Sequence, residues 1–372
     1  MRPPLDEAAS DSDDSPDKTP EFALLLACAR TELDTTVAEL IQNLVRQPLN
    51  WDWLFTEAIK QGVFSLLYHA LNRIAPGAIT LAGLSVWQRM YHVNVARNIR
   101  LAHGIADLIG LLEESSIRAI PYKGPLLASS VYGNLAFRRA GDLDLLVHPH
   151  DFVKSKELLL SQGYQIEAAY SWETHLVRSV DGLNVDLHQA IVPKWYNFRI
   201  NFDDLWQRCN DFVMFDTTLR NLCPEDLLIV LCINIVKDTA EATCLNLFKI
   251  SDIVELVRPC NGINWDSLLK RAKQFGARGA LFVGLRAADD LLGASIPTNI
   301  RHMVFRNTTV GVIARHTIDM VRNGPPTEKR FPHQTRIVVQ ARENPIDKAV
   351  VLAQAISEAL SRELRRKRVL HR

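Results

Sequence analysis

The chain has 372 residues, 47% of them hydrophobic and 23% charged, with a formal net charge of +1. That length can bury a large core and calls for two or three modules, and the near-neutral balance excludes a general nucleic-acid binder, whose surface carries a broad basic surplus. Cys28, Cys209, Cys223, Cys232, Cys244 and Cys260 show no paired or metal-ligand spacing, and no apolar run is long enough for a bilayer; the expectation is a cytoplasmic protein with reduced thiols and no membrane partner.

Residues 1–20, rich in Asp, Ser and Pro, read as a disordered acidic tail. Over residues 21–100 the apolar positions Phe22, Leu25, Leu26 and Ala29, then Leu33, Val37, Leu40 and Ile41, recur at helical spacing. Trp51 and Trp53 open another such segment and Leu84 to Asn98 a third, so this stretch is expected to be an N-terminal helical module. A fourth helix, Leu101 to Leu112, feeds a core expected over residues 101–200.

That core begins with a short strand, Arg118 to Lys123. Gly124-Pro125 ends it and starts a helix, whose exposed N–H groups favour phosphate. Next comes Gly141-Asp142-Leu143-Asp144-Leu145-Leu146-Val147. Side chains alternate across a strand, so Asp142 and Asp144 share a face and raise each other's pKa unless a cation joins them. The pair is therefore a metal-site candidate, with a solvated strand bearing two surface acids as the alternative. Downstream, Asp151 is placed to cap a helix that closes at Gly163, and His148 and His150 read as exposed turn histidines. His175 to Val180 and Leu183 to Leu187 are strand-like runs joined by a tight Asp181-Gly182 turn. The second run puts Asn184, Asp186 and His188 on one face; beside the Asp142–Asp144 strand, Asp186 becomes a third carboxylate, with His188 placed to orient it.

Residues 201–300 return to helical patterning, as a module closing the cleft. Pro224 opens a helix with Glu225 and Asp226 as first-turn caps. Lys249 and Asp252, three apart, form either an intrahelical ion pair or part of a cleft wall. Residues 301–372 read as a C-terminal helical extension, with Asn323-Gly324-Pro325-Pro326 as a linker and a basic end from Arg362 to Arg372.

Taken together, Tyr122-Lys123-Gly124, Tyr132-Gly133, Arg138 ahead of the Gly141–Val147 run, Val185-Asp186-Leu187-His188, and Leu222 to Leu228 resemble the bacterial uncharacterised nucleotidyltransferase family, within the DNA polymerase β-like superfamily, from about Glu21 to about Pro297. The resemblance implies an α+β fold, a small mixed β-sheet flanked by N-terminal and C-terminal helical modules. It implies two Mg²⁺ ions on Asp142, Asp144 and Asp186 as the catalytic trio. Lys123, Gly124, Arg138, Gly141 and Lys249 would meet the nucleotide, with His188 and Asp252 supporting from behind. The implied reaction moves a nucleoside monophosphate from an NTP, expected to be ATP, to an acceptor, and releases pyrophosphate. The near-neutral charge favours a small-molecule or protein acceptor over a large nucleic acid. Gly124-Pro125 stands where the superfamily has Gly-Ser or Gly-Gly, which removes a hydroxyl from the terminal phosphates and leaves Lys123 and Arg138 as compensating cations. The alternative is a catalytically inactive domain of the same fold that binds nucleotide or a protein partner. A metal-dependent glycosyltransferase is disfavoured, because the stretch ahead of Asp142 is helical rather than alternating strand and helix.

Overall fold

The first three helices each begin at a side chain that accepts an otherwise free N–H. Thr19 caps α1 (Pro20–Cys28), Asp34 caps α2 (Thr35–Val45) and Asn50 caps α3 (Trp51–Lys60). The chain is described here from a computed structural model over residues 19–79, 81–243, 245–326, 331–342 and 345–370. The expected acidic tail up to residue 18, Cys244 and the side chains of the basic C-terminal end lie outside the described residues.

After α4 (Phe64–Ile74) comes α5 (Leu81–Glu114), a single helix of 34 residues where the sequence reading expected two. Asn98-Ile99-Arg100 contains no glycine or proline, so nothing breaks the helix there. The expected boundary between helical module and core thus falls inside one rod. Trp87, in the first half of α5, packs with the N-terminal helices, while Leu101, Ile105, Leu108 and Leu112 pack against the sheet.

The sheet is built from β1 (Ala119–Pro121), then α6 (Gly124–Ser130), β2 (Leu143–Val147), α7 (Phe152–Ser161), β3 (Gln165–Ala169), β4 (Glu173–Arg178) and β5 (Leu183–His188). Its strand order is β1-β2-β5-β4-β3, with β2 and β5 parallel and the other neighbours antiparallel. Alternation sorts its faces. Leu143, Leu145, Val147, Val185 and Leu187 are buried against α5 and α7, each burial worth about 1.5–3 kcal/mol. Asp144, Asp186 and His188 therefore point the other way. The β4–β5 connection is longer than the expected two-residue turn: Arg178 pairs with Leu183, Val180 is exposed at the tip, and Gly182 takes a φ of 65°.

Beyond α8 (Phe202–Arg208) the structure departs from the all-helical expectation with a hairpin, β6 (Asn210–Met214) and β7 (Thr217–Asn221). Met214 and Leu219 add to the apolar layer behind the sheet. Then follow α9 (Pro224–Glu241), α10 (Leu247–Leu256), α11 (Trp265–Gln274), α12 (Arg278–Leu292), α13 (Thr298–Arg306), α14 (Thr308–Asn323), α15 (Phe331–Gln340) and α16 (Pro345–Leu370). These helices and α1–α4 flank the sheet and also share one apolar core. Polar ties cross between them: Ser251 donates to the Ala29 carbonyl at 2.9 Å, and Gln61 to the Val321 carbonyl at 2.8 Å. Among the described residues, no helix is long and apolar enough to cross a membrane.

Candidate active site

The parallel register of β2 and β5 sets Asp144 directly beside Asp186. Asp142 stands just before β2, on the same face as Asp144. The segment that carries it is fixed from two directions. Gly124, at φ 58°, lies so close that a Cβ there would sit 3.0 Å from the Asp142 carbonyl oxygen, a backbone approach that glycine permits. From the other side a polar edge of α5 holds the incoming loop. Asn94 donates to the Ala136 carbonyl at 3.1 Å and Arg97 to that of Gly141 at 2.9 Å. The buried Asn98 donates to the Arg138 carbonyl at 2.6 Å and accepts from the Ala140 N–H at 3.1 Å.

Around Asp144 the charges are balanced. Lys123 Nζ lies 3.1 Å from its Oδ1 and His188 Nε2 3.3 Å. Burial pushes the Asp144 carboxyl up, but the Lys123 ammonium and His188 outweigh it and hold it well below the ordinary carboxylate range. Asp142 and Asp186 are not so served. Burial, then the charge of Asp144, pushes Asp142 up, and burial with the charges of Asp142 and Asp144 lifts Asp186 to about 7. The Asp186 carboxylate contacts His175 Nδ1. Burial depresses that imidazole, but Asp186 and Glu173 more than restore it, so it holds its proton above the ordinary pH. Glu173, at the start of β4, closes the network, 3.3 Å from His175 Nε2 through one oxygen and 3.3 Å from His188 Nδ1 through the other. Asp144, Asp186 and His188 each offer one ligand atom within 4.8 Å of the others.

The acids form one wall of a cleft of about 380 Å³ whose opposite wall is α9 and α10. Lys60, Arg139, Lys237 and Lys249 line it together with Lys123, Gly124, Arg138 and Gly141. Two expected nucleotide contacts already have protein partners. Arg138, 5% exposed, grips Asp252 with Nε at 2.7 Å and Nη2 at 2.9 Å, and Tyr132 donates to the same carboxylate at 2.7 Å. Lys249 reaches Asp238 at 2.7 Å rather than Asp252 in its own helix. Glu225 and Asp226 stand in the first turn of α9 as expected and have partners as well: Glu225 accepts from the Asn264 N–H, and the buried Asp226 pairs with Arg208. His148 and His150 stack on each other, as turn residues outside the cleft lining, and Asp151 precedes α7 without a side-chain cap bond.

The sequence profile described as "Uncharacterised nucleotidyltransferase" matches residues 47–293, more than half of the chain. The chain belongs to this nucleotidyltransferase family. A crystal structure of an antigenic nucleotidyltransferase-like protein from Paracoccidioides brasiliensis is similar at 15% identity and a TM-score of 0.30, covering 49% of this chain and 91% of that one. No curated protein matches.

This family member carries cleft residues that its motifs do not announce. Lys237 lies in the second half of α9 with its ammonium 4.8 Å over the Trp172 ring, Arg139 follows Arg138 directly, and Glu173, which contacts His175 and His188 behind the cleft lining, precedes the expected strand by two residues. Asn94, Arg97 and Asn98 left a trace in the sequence, three polar residues at helical spacing.

Proposed function

We propose that the chain is a divalent-metal-dependent nucleotidyltransferase that moves a nucleoside monophosphate from an NTP to an acceptor and releases pyrophosphate. The observation that carries this reading is the juxtaposition of Asp142, Asp144 and Asp186 on one cleft wall opposite Lys237 and Lys249 on the other. One buried and two half-buried acids in one small volume repel each other, which fits a donor set made for a divalent cation. Asp142, Asp144 and Asp186 would hold Mg²⁺, in two ions by the resemblance. Bound there, Mg²⁺ supplies charge neutralisation on the transferring phosphoryl group and activation of the attacking oxygen. Lys123 keeps Asp144 ionised and in place. Lys60, Arg139, Lys237 and Lys249 give the cleft the positive surface that a triphosphate requires. Arg138 acts from behind, fastening the loop ahead of Asp142 to α10 through Asp252. ATP is the expected donor, and a small molecule or protein is the acceptor class that the near-neutral charge favours.

The test is calorimetric binding of each of the four NTPs with MgCl₂ to the wild type and to Asp142→Asn/Asp144→Asn, with pyrophosphate release followed in the same samples. At least one NTP binds the wild type in a metal-dependent way, and the double variant loses that binding. A wild type that binds no NTP overturns the reading. Binding with no pyrophosphate release across a broad acceptor panel favours the inactive nucleotide-binding module instead.

A further inference from the structure

The ring of His188 is 3% exposed and stands between two carboxylates, with Nε2 3.3 Å from Asp144 Oδ1 and Nδ1 3.3 Å from Glu173 Oε2. A neutral imidazole has one N–H to give. Whichever acid receives it, the other faces a ring-nitrogen lone pair where water cannot intervene. Both separations exceed the usual N–H···O distance of about 2.9–3.0 Å, and Nδ1 makes no aligned hydrogen bond. The ring is held in place between those of Tyr122 and Trp172, with centroids 5.6 Å away on each side.

We propose that His188 Nε2 is a ligand of a divalent cation shared with Asp144 and Asp186, and that this nitrogen tilts the centre from Mg²⁺ towards Mn²⁺. The inference rests on the reading of the three aspartates as a cation centre. With a cation present the conflict disappears: the lone pair of Nε2 faces the ion, and the single N–H on Nδ1 turns to Glu173. That carboxylate–histidine–metal arrangement is the usual way in which a ligating imidazole is oriented. The 3.3 Å separation of Nε2 and Asp144 Oδ1 also fits two donors of one ion, since bonds of about 2.1 Å place neighbouring donors roughly 3.0–3.4 Å apart. Mg²⁺ is a hard ion that takes oxygen; an imidazole nitrogen in the set favours a first-row transition ion, and among these Mn²⁺ is the one that shares the preference of Mg²⁺ for carboxylates.

The experiment uses the full chain, with MnCl₂ and MgCl₂ titrated by calorimetry and the Mn²⁺-loaded protein examined by pulsed electron paramagnetic resonance. Mn²⁺ is expected to bind about tenfold or more tightly than Mg²⁺, with the nitrogen coupling of one directly bound imidazole. The coupling is lost in His188→Gln and kept in His175→Gln. Should His188→Gln fail to fold, histidine labelled with ¹⁵N in the wild type carries the test, because the coupling must change isotope pattern there and persist in His175→Gln. Bound Mn²⁺ without nitrogen coupling, a coupling that survives in His188→Gln or vanishes in His175→Gln, or equal affinity for the two ions overturns this inference and leaves the carboxylate centre standing. No binding of either ion overturns both.

Discussion

Asp252 on α10 and Asp186 on β5 both line the cleft, and their surroundings are opposite in kind. Asp252, 1% exposed, receives both arms of the Arg138 guanidinium and the Tyr132 hydroxyl, and the guanidinium itself lies 5.2 Å over the Phe248 ring. Its charge is matched by geometry and hydrogen bonds, which is what makes a buried ion pair tolerable. Asp186 has His175 beside it but also the charges of Asp142 and Asp144, and the balance of burial and repulsion lifts it to about 7. On the helical wall the protein matches each buried acid with a cation. On the sheet wall it gathers acids and leaves part of their charge uncompensated. Under the proposed function that deficit is where a divalent ion would bind, whereas the charge of Asp252 is already met by the protein.

The largest expected effect tests the structural half of this contrast. Asp252→Asn leaves the Arg138 guanidinium buried without its counter-charge and should cost about 3–5 kcal/mol of stability, read by chemical denaturation. A loss below about 1 kcal/mol, the range of a surface pair, would break the comparison. Next comes pH, in protein stripped of divalent ions. An acid whose folded pKa is about 7 against an ordinary 3.8 holds a proton in the folded chain that the unfolded chain releases. Stability then falls as pH rises between about 4 and 7, by an amount on the order of 3 kcal/mol. The raised His175 acts in the same direction, since its proton too is lost as pH rises. Thermal melts in chelator should show this slope, Asp142→Asn should flatten it, and Mg²⁺ should do the same by replacing the proton. The lowered His188 works in the opposite direction, so the acids are read from the difference between wild type and Asp142→Asn, and an identical slope in the two would show that the sheet-wall acids are already compensated.

Much of the sheet wall was legible because its information is local. Leu143-Asp144-Leu145 and Val185-Asp186-Leu187 declare their faces by alternation alone, and two neighbouring strands suffice to bring the acids together. The helical wall was not. Arg138 and Asp252 are 114 residues apart, and nothing near either one names the other. Lys249 and Asp252 share a helix, so local spacing pairs them, yet tertiary contacts send each to a different partner. The β6–β7 hairpin was hidden among helical patterns, although Val213, Thr217 and Thr218 carried a β-branched signal. The continuity of α5 was missed because its stripe changes partner half-way, from the N-terminal helices to the sheet, which reads in sequence as a break.

The smallest effect separates the two walls by what they bind. Lys249 Nζ meets Asp238 at 2.7 Å, and its side chain is 30% exposed. Asp238 is buried but keeps the Thr243 hydroxyl at 3.3 Å, so Lys249→Ala should cost about 1–3 kcal/mol, less than Asp252→Asn. If the helical wall serves the triphosphate, the same change should weaken NTP binding roughly 3- to 10-fold, or about 0.6–1.4 kcal/mol, and leave Mn²⁺ or Mg²⁺ binding in the absence of nucleotide unchanged. Unaltered NTP affinity would make the Lys249–Asp238 pair purely structural, like Arg138–Asp252. Weakened cation binding without nucleotide would mean that the field of the helical wall reaches the acids, and the two walls would then have to be treated as one electrostatic unit.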